Sequence, residues 1–127
     1  MRRIHGVAAA ALLLLAGCSG GGGPKPEATC SPAGSALQIA AKNVAYDRDC
    51  LAAPAGQAFT ITFQNDDAGT LHNVSILTTT GGSTLFKGEI TTGIKTVTYH
   101  VPALKPGTYH FHCDVHPDTM SGTFIVR

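Results

Sequence analysis

Alternation between apolar and polar residues is the dominant pattern of the chain from residue 30 onward. In "FTITFQN", residues 59–65, the side chains of Phe59, Ile61 and Phe63 alternate with polar neighbours. A period of two puts every second side chain on the same face, so this segment predicts a half-buried β-strand. The same reasoning predicts strands in "TVTYHV", in "TYHFHC" and in the shorter runs at residues 37–46, 72–77 and 122–126.

Turn-forming residues separate these runs, at residues 54–56, 66–69, 81–82 and 106–107. After residue 30, no segment keeps a helical period over several turns. Short strands with regularly spaced turns are typical of antiparallel β-sandwiches. The pattern therefore predicts a single all-β domain over residues 30–127, a sandwich of about seven to eight strands.

The N-terminal segment has a different composition. Arg2 and Arg3 precede an apolar run over residues 7–16, which is shorter than the roughly 20 residues that a transmembrane helix needs. The run ends in "LAGC", which resembles a bacterial lipobox. It predicts a signal peptide over residues 1–17 and a lipid on Cys18. An ordinary signal peptide with a chance cysteine is the alternative.

Residues 18–29 include "SGGGGPKPEAT", which has no periodic apolar residue and predicts a flexible tether. The expected product is an extracytoplasmic domain, in the periplasm or on the outer cell surface, that lipid holds to the membrane. Such a domain favours partners at or near the membrane. Without residues 1–17 the chain has seven basic and eight acidic residues, so its charge does not indicate nucleic-acid binding.

Four cysteines occur, at positions 18, 30, 50 and 113. If Cys18 carries lipid, an odd number remains in an oxidising compartment and one is unpaired. Cys30 and Cys50 flank the first predicted strand and could close a loop of about 20 residues, worth roughly 3 kcal/mol. Cys113 is then the free thiol, and its alternation with Phe111 points it inward. Pairing of Cys113 with Cys30 or Cys50 is the alternative.

The spacing around Cys113 favours a metal site. Cys113 and His116 form C-x2-H, and Met120 follows as H-x3-M. Thiolate, imidazole and thioether together favour copper, because soft ligands stabilise Cu(I) while imidazole also suits Cu(II). His72, at the start of a predicted strand in "DAGTLHNVSI", is the candidate for the fourth ligand. A surface or packing role is the alternative for His72.

Together, "LHNVSI" and "GTYHFHCDVHPDTMSGTFIV" resemble the small blue-copper proteins, or cupredoxins, of the plastocyanin–amicyanin–azurin group. The resemblance implies a Greek-key β-sandwich with one type 1 copper per chain. His72, Cys113 and His116 would form a trigonal plane, with Met120 as a weak axial ligand. Asn73 would tie the His72 strand to the Cys113 loop by hydrogen bonds. On this interpretation the chain is a monomeric electron carrier for redox partner proteins, and not an enzyme.

Three other histidines, His100, His110 and His112, alternate with inward residues and are expected to point outward. Exposed strand histidines are the simplest interpretation, and a second metal site is the alternative. Asp114 stands where a multicopper oxidase would have a further histidine after the cysteine. That substitution disfavours an oxidase-like cluster.

Two other classes of protein remain as alternatives. A copper-binding or delivery protein would use the same ligands and release its copper readily to a competitor. An adhesion sandwich without metal would have Cys113 only as a core residue. Zinc is the alternative metal, and a zinc site would not require Met120.

Overall fold

The computed structural model describes Cys30 and residues 34–127. The predicted signal peptide, the lipidation site Cys18 and the tether over residues 18–29 lie outside the described residues. Within the described part of the chain, no helix is long and apolar enough to cross a membrane.

The first sheet contains four strands in the order β2-β1-β4-β9. They are β1 (Ala36–Lys42), β2 (Ala45–Tyr46), β4 (Phe59–Asn65) and β9 (Lys95–Val101). β4 pairs antiparallel with β9 along its whole length. β1 and β4 run parallel, with Leu37 opposite Ile61 and Ile39 opposite Phe63. These residues are buried, so the inward faces of the two strands align.

The second sheet contains five strands in the order β3-β11-β10-β6-β7. They are β3 (Cys50–Ala53), β6 (Ser75–Leu77), β7 (Thr84–Lys87), β10 (Gly107–His112) and β11 (Ser121–Val126). β3 and β11 run parallel, and the other neighbours in this sheet are antiparallel. A short antiparallel pair, β5 (Leu71–His72) and β8 (Thr91–Thr92), lies apart from both sheets.

The hydrophobic core lies between the two sheets and is rich in aromatic rings. Phe59 of β4 stacks on Phe124 of β11, with ring centroids 5.5 Å apart. Phe111 of β10 is fully buried, and its ring lies 5.5 Å from that of Tyr46 on β2. Such close aromatic pairs add to the area that they bury, so they fix the spacing of the sheets. Cys113 and Met120 belong to the same buried cluster.

The prediction of an all-β sandwich is confirmed. The described residues form eleven short strands rather than the expected seven or eight, because two of the predicted runs are interrupted and because β3, β7 and β8 lie where no run was predicted. Residues 37–46 break at Asn43 and Val44, which have positive φ angles of 54° and 56°. Two such residues make the tight hairpin turn that reverses a strand. Residues 72–77 break between His72 and Ser75, where the chain leaves the two-stranded pair of β5 and β8 and enters β6 of the five-stranded sheet.

The two parallel pairs are a second difference, since the periodicity predicted an antiparallel sandwich. Alternation shows which side chains of a strand are buried, but it does not show which strand lies beside it. β1 lies between β2 and β4 and is parallel to β4, whereas β3 is at the edge of the second sheet and is parallel to β11.

Cys30 and Cys50 form a disulfide, with their Cα atoms 5.7 Å apart. The bond links the start of the domain to β3, at the edge of the second sheet. Arg127, at the other end of the chain, donates a hydrogen bond of 2.6 Å from its guanidinium to the carbonyl of Cys30. Among the described cysteines, Cys113 alone is a free thiol, and it is fully buried.

Candidate metal centre

Two segments build the candidate site at one end of the sandwich. One is β5, which carries His72, and the other is the loop of residues 113–120 between β10 and β11. The loop is closed at its base, because the Cys113 N–H donates to the Met120 carbonyl at 2.9 Å. It is also bonded internally, since the Met120 N–H donates to the His116 carbonyl at 3.0 Å. These bonds give the loop a fixed shape before any ion binds.

His72, Cys113 and His116 come together, with one potential ligand atom from each lying within 4.8 Å of the other two. The Cys113 Sγ lies 3.7 Å from His72 Nδ1 and 4.0 Å from His116 Nδ1. The two imidazole rings are 4.9 Å apart between centroids. Both histidines therefore present the same nitrogen, Nδ1, to the thiol.

These spacings match a metal in trigonal coordination. Metal–nitrogen bonds of about 2.0 Å and a metal–sulfur bond of about 2.3 Å, opened to roughly 120°, put nitrogen and sulfur about 3.7 Å apart. The observed distances of 3.7 and 4.0 Å are close to that value. The donor set also fits copper, because one thiolate, two imidazoles and a nearby methionine are typical of type 1 sites.

Met120, the fourth predicted ligand, is fully buried in the cluster that contains Cys113. His72 and Cys113 are fully buried as well, whereas the His116 side chain is partly exposed. Leu71 and Val115, which directly precede the two histidines, are 46% and 41% exposed. The site is thus closed to water at the other candidate ligands and reaches the surface at His116.

Asp67 orients the buried histidine. Its Oδ2 accepts a hydrogen bond of 2.8 Å from His72 Nε2, which leaves Nδ1 unprotonated toward Cys113. The same carboxylate accepts the backbone N–H groups of Asn43 and Val44, at 2.5 and 2.9 Å. The Val44 N–H is the main cause of the lowered pKa of Asp67, and the His72 contact adds to it. Sequence reasoning did not identify this residue, although a carboxylate five positions before a candidate ligand is a usable hint.

Asn73 connects the two segments by hydrogen bonds. Its side-chain amide donates to Asp114 Oδ2 at 2.7 Å and to the Gly88 carbonyl at 2.8 Å. In return its Oδ1 accepts the Asp114 N–H at 2.9 Å. The Ser75 hydroxyl donates to the same Asp114 oxygen. Burial alone would raise the pKa of Asp114, but hydrogen bonds from Asn73, Ser75 and His112 hold it below the ordinary value.

Tyr46 is a further contributor that sequence reasoning did not identify. Its hydroxyl donates a short hydrogen bond of 2.5 Å to the carbonyl of Asn73, one residue after His72. Its ring packs against Phe63 and Phe111 in the core. Burial is the main cause of the raised pKa of this phenol. Tyr46 therefore stays neutral, and its hydrogen bond holds the backbone next to His72 against the core.

Three further histidines among the described residues lie outside this cluster. His100 is exposed on β9 of the first sheet, while His110 and His112 are partly exposed on β10. Phe111, between the last two, is fully buried, so both histidines project from the opposite face of their strand.

The fold and the site together define a class: a β-sandwich with a histidine–cysteine–histidine cluster at one end and a methionine on the same loop. Residues 7–126 match the family described as "Cupredoxin-like domain". The chain therefore belongs to the cupredoxin-like family, and the resemblance inferred from its motifs is confirmed. None of the curated proteins matches the chain.

Solved structures give the same fold. The dithionite-reduced auracyanin of Roseiflexus castenholzii is 24% identical, with a TM-score of 0.65 over 77% of this chain and 98% of that one. Auracyanin A, a "blue" copper protein of Chloroflexus aurantiacus, is 22% identical, with a TM-score of 0.65 over 74% and 99%. An amicyanin mutant with a proline replaced by glycine, in its reduced Cu(I) form, is 27% identical, with a TM-score of 0.55 over 72% and 82%.

Proposed function

We propose that this protein binds one type 1 copper ion through His72, Cys113, His116 and Met120, and that it carries single electrons between redox partners. The observation that carries this proposal is the spacing of the donors, with the buried Sγ of Cys113 at 3.7 and 4.0 Å from two imidazole nitrogens. Membership of the cupredoxin-like family and the similarity to a Cu(I) amicyanin support it.

Bound copper would supply a one-electron Cu(I)/Cu(II) couple, which soft sulfur ligands and imidazoles together can stabilise in both states. The residues of the chain supply a rigid arrangement of the donor atoms. The bonds from Cys113 to Met120 and from Met120 to His116 keep the loop rigid. Asp67 holds the His72 ring in one tautomer and orientation. A donor set that barely moves requires little reorganisation when the charge of the site changes.

Four protein ligands leave no coordination position for a substrate, unlike a catalytic metal centre. We therefore propose that the protein has no catalytic turnover of its own. His116 is the ligand with access to solvent, and exposed Leu71 and Val115 flank the two histidines. An apolar surface of this kind suits brief contact with a redox protein, and electrons would pass through the His116 edge.

We also propose that the protein acts outside the cytoplasm, anchored by lipid on Cys18. The "LAGC" motif and the basic and apolar residues before it support this location. Eleven tether residues of this composition have a reach of roughly 18 Å, so the domain would meet partners close to the membrane. The sandwich would work as a monomer there.

The direct test adds Cu(II) to the purified full chain and records its visible and electron paramagnetic resonance spectra. One equivalent of copper should produce an intense thiolate-to-copper charge-transfer band. Cys113→Ser should abolish the band, because a hydroxyl cannot replace the thiolate. The proposal fails if stoichiometric copper gives no such band.

Two further variants test Met120 and His72. Met120→Leu should keep copper bound and shift its reduction potential, as expected of a weak axial ligand. His72→Ala should change the spectrum, since it removes a ligand of the trigonal plane. His100→Ala is the matched control, because that histidine is exposed on the other sheet and should leave the spectrum unaltered.

A further inference from the structure

His110 and His112 form a pair on the outer face of β10, separate from the cluster around Cys113. Their rings are 5.8 Å apart between centroids and nearly perpendicular, at 88°. They occupy alternate positions of the strand, so the strand period itself places them side by side. The pair is partly exposed and thus accessible from solvent.

A second residue orients each ring. His110 Nδ1 lies 3.3 Å from the hydroxyl of Thr80, in the turn that follows β6. His112 Nε2 lies 3.0 Å from Asp114 Oδ1, and it donates there because the carboxylate is an acceptor. Asp114 is itself fixed, since Asn73 and Ser75 donate to its other oxygen.

The opposite nitrogen of each ring is available. Among the described residues, neither His110 Nε2 nor His112 Nδ1 has a hydrogen-bond partner. His112 holds its proton on Nε2, facing the Asp114 carboxylate, and a neutral His110 can hold its proton on Nδ1, facing the Thr80 hydroxyl. In these tautomers both of the opposite nitrogens keep a lone pair. A histidine whose second nitrogen donates to a carboxylate or another oxygen is the usual arrangement of a metal ligand.

The distance between the rings also fits one shared ion. A first-row metal about 2.0 Å from each nitrogen keeps the centroids of its two imidazoles at most about 6.4 Å apart. The observed 5.8 Å is inside this limit. Partial burial and the neighbouring His112 lower the pKa of His110, which favours the neutral ring, the form that binds metals.

From this geometry we propose that His110 and His112 form a second metal site, for a divalent first-row cation such as Zn(II), Ni(II) or Cu(II). Imidazole pairs suit these ions, whereas Mg(II) and Ca(II) prefer oxygen ligands. Water would complete the coordination on the exposed side. The site is independent of the proposed electron transfer, because it uses none of the four residues assigned to the type 1 copper.

The test titrates Zn(II) into the full chain after it has been loaded with copper and reduced to Cu(I), which is diamagnetic. Calorimetry should detect one zinc ion bound beyond the copper. Residue-resolved NMR should show shifts of the His110 and His112 ring signals, without shifts at His100. If the first site takes no copper, zinc could also bind to His72 and His116. The ring signals of His110 and His112 would still distinguish zinc at the second site from zinc at the first.

Single substitutions decide the assignment. His110→Ala or His112→Ala removes one of two protein ligands, and each should weaken zinc binding at least about tenfold. Loss of a residue that only hydrogen-bonds to a metal ligand already lowers metal affinity by about 10–100-fold. His100→Ala should have no effect. His112→Gln and Thr80→Val serve as milder variants if an alanine destabilises the strand, and thermal unfolding checks each fold. The proposal is overturned if no zinc binds beyond the copper, or if its affinity is the same in all of these variants.

Discussion

Asp67 and His72 are joined by a hydrogen bond of 2.8 Å between the carboxylate and the imidazole Nε2, beneath the candidate copper site. The same carboxylate accepts two N–H groups from the hairpin turn at Asn43 and Val44. Three separate segments of the chain therefore meet at one side chain. Asp67 therefore holds His72, a buried candidate ligand, in a fixed position relative to the β1–β2 turn.

Asp67→Ala should weaken copper binding without abolishing it. His72 would lose the partner that fixes its tautomer, and loss of such a partner typically costs about 10–100-fold in metal affinity. A competitive titration against a copper chelator measures this change. The neighbouring Asp66→Ala is the control, because that carboxylate accepts a bond only from the exposed Gln64 side chain. Equal affinity in the two variants would contradict the role given to Asp67.

Asn73→Ala should destabilise the metal-free protein by about 2–4 kcal/mol, since it leaves two backbone groups without partners and weakens a third contact. The Gly88 carbonyl and the Asp114 N–H lose their side-chain partner, and Asp114 Oδ2 keeps only the bond from Ser75. Ser75→Ala is the matched comparison, because it removes one donor to the same Asp114 oxygen, worth about 1 kcal/mol. Chemical denaturation measures both. Similar losses in the two variants would show that Asn73 does not connect the segments.

The sequence was most informative about the candidate ligands that lie close together along the chain. Cys113, His116 and Met120 follow one strand within eight positions, so alternation and spacing were sufficient to predict their grouping. His72 was only a candidate at the start of a predicted strand, because its proximity to Cys113 depends on how β5 lies at the end of the sandwich.

The residues that sequence reasoning missed act through contacts between distant turns. Asp67 reaches Asn43 and Val44 across 24 and 23 positions, and Tyr46 reaches Asn73 across 27. No periodicity encodes such contacts, since they depend on which strands are neighbours. The parallel pairing of β1 with β4 was missed for the same reason.

Replacing Cys30 and Cys50 together with serine should lower the free energy of unfolding by roughly 3 kcal/mol, as expected for a closed loop of this size. The disulfide lies at the edge strand β3, where Cys50 is opposite Thr123 of β11, and neither of these strands contains a candidate ligand. The copper spectrum should therefore remain that of the unaltered protein. Denaturant unfolding of the metal-free forms measures the loss. A changed spectrum would indicate that the disulfide also shapes the metal centre.

Asp47 should make the stability of the metal-free protein depend on pH in the acid range. Partial burial alone would raise the pKa of this carboxyl, but the Ala40 N–H and the Arg48 guanidinium outweigh it and hold the pKa below its usual value. A carboxyl with a lowered pKa stabilises the fold above its unfolded pKa of about 3.9, and this contribution is lost as the pH falls through the folded pKa.

Asp47→Asn keeps an oxygen that can accept the Ala40 N–H but has no charge to titrate. The variant should be less stable than the unaltered protein at neutral pH, and the difference should shrink as the pH falls below about 4. Asp49→Asn is the control, because the Asp49 side chain makes no hydrogen bond within the described residues. Urea unfolding of the three proteins at neutral and acid pH measures the effect. A difference that stays constant with pH would mean that Asp47 acts through its hydrogen bond alone, and not through its charge.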